Sequence, residues 1–137
     1  MVLKQILAKE KQNFYKIYLY INEENNLCYS YEFSAYLLSQ LLNTKLEETR
    51  KKLGATFYYT QLSIQAVVDQ LSGPNTLVGD DVITVVLDNT TRCLQWKLEF
   101  DNLKNTQERF YNKFIVYLRK IFCKRRFSKL NEQNMKA

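Results

Sequence analysis

Residues 38–53 read LSQLLNTKLEETRKKL, an apolar half and a charged half divided at Asn43-Thr44. Whether that division separates two helices decides the arrangement of everything downstream. Leu37, Leu38, Leu41 and Leu42 recur at helical spacing, so residues 34–43 read as a short amphipathic helix. Asn43 tolerates the left-handed backbone that ends a helix. Thr44 and Glu47 then make a T-x-x-E pair, in which each side chain satisfies a free amide at a helix start. The spacing predicts a second helix from Thr44 to Leu53, stopped by Gly54.

Working outward towards the N-terminus, Val2, Leu3, Ile6 and Leu7 predict a short amphipathic helix over residues 2–12. NFYKIYLYI (13–21) and LCYSYEF (27–33) are β-branched and aromatic, and the polar turn NEENN between them predicts a hairpin. Towards the C-terminus, ATFYYT is a brief extended piece and a helix is expected from Ser63 to Leu71, ending at SGPN. DDVITVVL and RCLQWKLEF flank DNTT and predict a second hairpin over residues 82–100. In its second strand Leu94, Trp96, Leu98 and Phe100 alternate with Cys93, Gln95, Lys97 and Glu99, one buried face and one wet face. Asn105 and Glu108 repeat the capping pattern and open a long helix over 106–123. It sets Phe110, Phe114, Tyr117, Leu118, Ile121 and Phe122 on one side and Arg109, Lys113, Arg119 and Lys120 on the other.

These elements predict an α+β fold: a single compact domain over 1–128 with two β-hairpins, a short helix pair and a long amphipathic C-terminal helix. Residues 129–137 are expected to be a frayed basic and polar tail. The composition agrees, since 137 residues with 46% hydrophobic and 14% aromatic content can build a core. Ten tyrosines suit half-buried sheet and interface positions.

Cys28, Cys93 and Cys123 are too widely spaced for a zinc site or a disulfide framework, which points to a reduced compartment. No apolar run approaches the roughly 20 residues that span a bilayer, so no integral membrane association is expected and a cytoplasmic location is. The chain has no histidine, which removes imidazole ligands and His-based acid–base or nucleophile pairs. No catalytic residue, cofactor or metal is assigned, and the chain reads as a non-enzyme.

The net charge of +6 is unevenly placed. Residues 1–101 carry 10 basic and 12 acidic residues, −2, whereas residues 102–137 carry 10 and 2, +8. Between Arg109 and Lys129 eight basic residues occur with no acid, a footprint for phosphate or anionic lipid.

Residues 38–53 resemble the helix-turn-helix segment of bacterial DNA-binding regulators, with Leu38, Ser39 and Leu42 in the first helix and Asn43 at the turn. The resemblance implies that Thr44, Thr49 and Leu53 are buried and that Lys45, Leu46, Glu47, Arg50 and Lys51 face the major groove. The element order is similar to winged helix-turn-helix regulators that dimerise through the last helix. That implies a wing at 82–100, with Arg92 or Lys97 touching phosphate. The nucleic-acid-binding candidates are therefore Lys45, Arg50, Lys51 and Lys52, with Lys113, Arg119, Lys120, Lys124, Arg125 and Arg126 of the basic segment.

The leading expectation is a small DNA-binding regulator or plasmid- or phage-type accessory protein, with double-stranded DNA as partner and a homodimer formed through the C-terminal helix. The alternative is a protein–protein interaction module, structural or inhibitory, with aromatic interfaces and a protein partner. The acidic first 101 residues favour it, because they repel DNA. A remote alternative is a Mg-dependent nuclease using Asp81 or Asp88 with Gln95 and Lys97 on adjoining strands.

Overall fold

Alternating apolar residues along Ile17, Leu19 and Ile21 force one side of that strand inward, and the rest of the architecture is built on it. The computed structural model describes residues 2–49 and 56–136, with side chains described through Thr106 and then at Arg109, Asn112, Lys113 and residues 116–121. The elements are α1 (Leu3–Lys11), β1 (Lys16–Asn22), β2 (Leu27–Tyr31), α2 (Glu32–Leu42), β3 (Glu47–Thr49), β4 (Phe57–Ser63), α3 (Ile64–Leu71), β5 (Thr76–Val78), β6 (Val82–Val86) and α4 (Thr90–Lys136). Residues 1–100 make one compact unit and residues 101–137 another.

Among the described residues of the first unit, six strands form one antiparallel sheet in the order β3-β4-β2-β1-β6-β5. The register sets Ile17 against Val85, Leu19 against Ile83 and Ile21 against Cys28, so these side chains share a face. Phe33, Leu37 and Leu38 of α2, Val67 of α3, and Cys93, Trp96 and Phe100 of α4 complete the same core. Burying each large apolar side chain contributes about 1.5–3 kcal/mol. The α+β class, the first hairpin, the short helices and the longer C-terminal helix agree with the expectation from sequence.

Three expected elements are replaced. The helix predicted from Thr44 to Leu53 does not form over its described part. Glu47, Glu48 and Thr49 instead pair with Tyr59, Tyr58 and Phe57 as edge strand β3. The capping box fails as well, because the buried Thr44 hydroxyl has no hydrogen-bond partner among the described residues. Pairing to an aromatic strand outweighs a weak local helix preference. The remainder, residues 50–53 with the Gly54 stop, lies outside the described residues.

Asn43 does end α2 in the left-handed conformation, with φ 54° and ψ 32°. Asn43→Gly is therefore expected to leave the urea midpoint nearly unchanged, whereas Asn43→Val should cost about 1–2 kcal/mol. Equal midpoints for the two variants would show that this backbone geometry is not maintained.

The second correction concerns residues 92–100, which are helical. Cys93 (1% exposed), Trp96 and Phe100 are buried, while Leu94 (53%) and Leu98 (67%) are exposed. Trp96 and Phe100 satisfy both a two-residue and a helical period, and only Cys93 against Leu94 and Leu98 distinguishes them. DNTT is the cap of α4 and not a hairpin turn. The Asn89 side chain accepts from the Arg92 amide at 3.0 Å, and the Asn89 carbonyl from the Cys93 amide at 3.0 Å. The hairpin partner of β6 is instead β5, formed by Thr76–Val78 just after the SGPN stretch.

Third, α4 does not begin at Asn105. The Thr106 hydroxyl donates to the Asn102 carbonyl at 2.9 Å, the back-bond of a residue inside a helix. α4 is continuous from Thr90 to Lys136.

Candidate protein-interaction face

The strand registers that set the core on one side set tyrosines on the other. Tyr20 lies opposite both Tyr29 and Val82, and Tyr29 opposite Gln61. One residue pair along, Tyr31 lies opposite Tyr59, Tyr59 opposite Glu47, Tyr18 opposite Thr84, and Thr84 opposite Leu77. Five tyrosines thus share one face across β1, β2 and β4, extended by Phe57 next to Tyr59. The rings touch in a chain: Tyr20 to Tyr31 at 6.0 Å, Tyr31 to Phe57 at 6.0 Å and Phe57 to Tyr59 at 6.4 Å between centroids, all tilted. All five tyrosines are half-buried.

Charge on this face is sparse among the described residues. Lys16 lies opposite Val86 at one end of the face, and Glu47 on β3 lies at an edge. From α1, the Lys9 ammonium sits 4.0 Å from the Tyr18 ring centroid, a cation–π contact. Burial pushes the phenols of Tyr18 and Tyr31 above their ordinary range, and that of Tyr20 to about 12. For Tyr59 the hydrogen bond to Glu47 has the same effect. These hydroxyls therefore stay protonated at neutral pH and serve as donors. The buried Tyr20 hydroxyl has no hydrogen-bond partner among the described residues.

A buried polar cluster holds the end of this face. The register of β1 with β2 covers Tyr20–Asn22 and Leu27–Tyr29, and side chains satisfy the backbone of β1 before it. Ser30 donates to the Tyr18 carbonyl at 3.1 Å, and the Tyr18 amide donates to the Ser34 hydroxyl at 3.1 Å. Asn13 both donates to the Lys16 carbonyl, at 2.6 Å, and accepts from the Lys16 amide, at 3.0 Å. Glu10 of α1, 1% exposed, accepts from the Ser34 amide at 3.0 Å, the Ser34 hydroxyl at 2.5 Å and the Asn13 amide at 3.1 Å. Its carboxylate thus caps the first turn of α2, where free amides favour an anion. Burial nevertheless dominates and raises the Glu10 carboxyl to about 7, against the pull of Ser34, Asn13 and Lys97.

The residues singled out for nucleic acid are placed differently. Lys45 is exposed before β3, and its carbonyl accepts from the Thr60 hydroxyl at 2.8 Å. Arg50, Lys51 and Lys52 lie outside the described residues. Lys113, Arg119 and Lys120 are exposed on α4, where Lys113 and Lys120, seven residues apart, fall on one side of the helix. Lys124, Arg125 and Arg126 lie within α4, and their side chains lie outside the described set. The expected wing at 82–100 is absent, since its second half is helix. Arg92 stacks over Trp96 at 4.8 Å and Lys97 over Phe33 at 4.8 Å, so both make contacts within the fold.

The same correction removes the adjoining strands required by a nuclease arrangement of Asp81, Asp88, Gln95 and Lys97. No group of three or more potential metal ligands occurs among the described residues. Cys28 and Cys93 are free and buried, and burial raises both thiols. No helix among the described residues is long and apolar enough to cross a membrane.

The tyrosine face was missed as a site, although its signal is present. Tyr18 and Tyr20 alternate with Ile17 and Leu19, and Tyr29 and Tyr31 with Cys28 and Ser30. Such alternation puts all four on one side once the strands are paired. The chain matches no protein-family model, and no curated protein and no solved structure matches it.

Proposed function

We propose that this chain is a non-enzymatic protein–protein interaction module whose tyrosine face receives a protein partner. The observation that carries the reading is the run of five tyrosines with Phe57 on the non-core face of one sheet. Tyrosine contributes a large rigid contact area and a hydroxyl donor, and it is enriched where interfaces derive most of their energy. Among the described residues little charge has to be desolvated there, and the protonated phenols can pair with a partner's carbonyls.

The DNA-binding regulator, the leading expectation from sequence, is less well supported. Its second helix is replaced by β3 over residues 47–49, and Glu47 accepts from Tyr59. The −2 charge of residues 1–101 also works against phosphate.

A pull-down with the full chain as bait tests the proposal. Proteins enriched by the wild type should be lost by Tyr29→Ser/Tyr59→Ser and retained by Leu98→Ser, an exposed change on α4. An identical enrichment for all three baits would contradict the assignment. In parallel, a gel shift on mixed-sequence duplex should show no retardation by residues of this face. A shift abolished by the tyrosine pair would move the face to nucleic acid.

A further inference from the structure

The second unit offers a surface of different chemistry, which the tyrosine-face reading does not use. α4 continues without a break from Asp101 to Lys136, about 54 Å at 1.5 Å per residue. Residues 102–137 carry +8, and the eight basic residues from Arg109 to Lys129 are interrupted by no acid. Arg109, Lys113, Arg119 and Lys120 are exposed, and so are Leu103 (38%), Val116 (50%) and Tyr117 (61%). The sequence of this segment interleaves the cations with Phe110, Phe114, Phe122 and Phe127.

We propose that residues 101–136 form a peripheral docking helix for an anionic phospholipid surface. Both halves of the composition are used there: lysines and arginines meet the headgroups, and aromatic and aliphatic side chains enter the interfacial layer. Duplex DNA would satisfy the cations and leave the apolar residues in water. A second copy of the helix would bring +8 against +8 with no acid between Arg109 and Lys129 to pair across the contact. A groove on a small partner domain spans about 30 Å, shorter than the basic stretch from Lys104 to Lys136, whereas a membrane plane imposes no such limit.

The test is co-sedimentation of the full chain with vesicles of phosphatidylcholine alone or with roughly one third phosphatidylserine. Binding is expected only to the anionic vesicles, weakening steeply with added salt. Reversing Lys113→Glu, Arg119→Glu and Lys120→Glu together should reduce it about a hundredfold or more, at about fivefold for each lost cation and further for each added acid. The charge-preserving Lys113→Arg/Lys120→Arg should retain binding, which controls for an effect on the helix itself. Tyr29→Ser/Tyr59→Ser should also retain it, so the proposal and the tyrosine-face reading fail separately. Equal binding to neutral vesicles, no binding to anionic ones, or binding indifferent to charge reversal would each overturn it. Retention of mixed-sequence duplex without vesicle binding would assign the surface to nucleic acid instead.

Discussion

Phe100→Ala is expected to destabilise the first unit by about 3–5 kcal/mol, while Leu98→Ala changes it by no more than about 0.5 kcal/mol. Phe100 is 4% exposed and packs against three rings: Phe33 at 5.8 Å, Tyr36 at 5.4 Å and Tyr58 at 6.0 Å. Truncation removes the ring from the junction of α2, β4 and α4 and leaves a cavity that the surrounding aromatic side chains cannot fill. Leu98, two residues earlier, is 67% exposed. The contrast discriminates between two folds as well as two residues. In a strand, residues 98 and 100 would share one face and suffer alike; in α4 they are about 200° apart around the axis. Urea unfolding of both variants settles the comparison, and similar losses at the two positions would contradict the helix.

The second large effect concerns pH. Glu10 has its carboxyl raised to about 7 from the ordinary 4.5, chiefly by burial, with Ser34, Asn13 and Lys97 opposing. The folded state therefore binds this proton more tightly than the unfolded state does. The stability contributed by Glu10 is full below about pH 4.5, declines as pH rises through the interval, and is lost above about pH 7. The decline amounts to about 3 kcal/mol over that window, from 1.36 kcal/mol for each unit. Tyr18 and Tyr20 of β1 lie within its electrostatic reach, but both phenols are raised above their ordinary range and remain neutral throughout. Other carboxylates titrate in the acid part of the window, so the quantity to measure is the difference between wild type and Glu10→Gln in urea midpoints. Gln can still accept from the Ser34 amide but cannot ionise. Wild type should lose stability relative to Glu10→Gln between about pH 5 and pH 8; a difference that stays constant would show that Glu10 keeps one protonation state. Because Glu10 joins α1 to the start of α2, beside Tyr18, the same titration bears on how firmly the end of the tyrosine face is held.

Much of the fold was legible where local and tertiary preferences agree. The strand at 16–22, the turn at 23–26, the strand at 27–31 and α2 follow from alternation and apolar spacing, and Asn43 ends α2 as its left-handed tolerance predicts. Ser63 caps α3 through the Ala66 amide at 3.1 Å, close to where the sequence starts that helix. The misread elements are those in which one pattern satisfies two structures. Thr44-x-x-Glu47 is a capping box on paper, but Glu47–Thr49 gains a ladder with Phe57–Tyr59 that no local pattern reveals. Trp96 and Phe100 fit a strand or a helix, and Asn89 fits a turn or a cap. Thr76–Val78 is only three residues long, too short to show a period.

The tyrosine face was hidden for a related reason. Its tyrosines come from three strands, so the surface exists only after the registers are set. The Glu10 cluster was equally hidden, because Ser34 lies 24 residues from its carboxylate partner. Basic residues, by contrast, are conspicuous in sequence whatever their surroundings. Arg92 and Lys97 show the consequence, since both turn onto aromatic rings of the fold.

The proposed function requires that the non-core sheet face bind a protein partner. Its most direct test is a two-dimensional NMR titration of the labelled full chain with a protein recovered in the pull-down, following backbone and tyrosine ring resonances. Saturable shifts concentrated at Tyr18, Tyr20, Tyr29, Tyr31, Phe57 and Tyr59 are expected. Shifts confined to residues 101–136 or to the core side of the sheet, with those six residues unmoved, would contradict it.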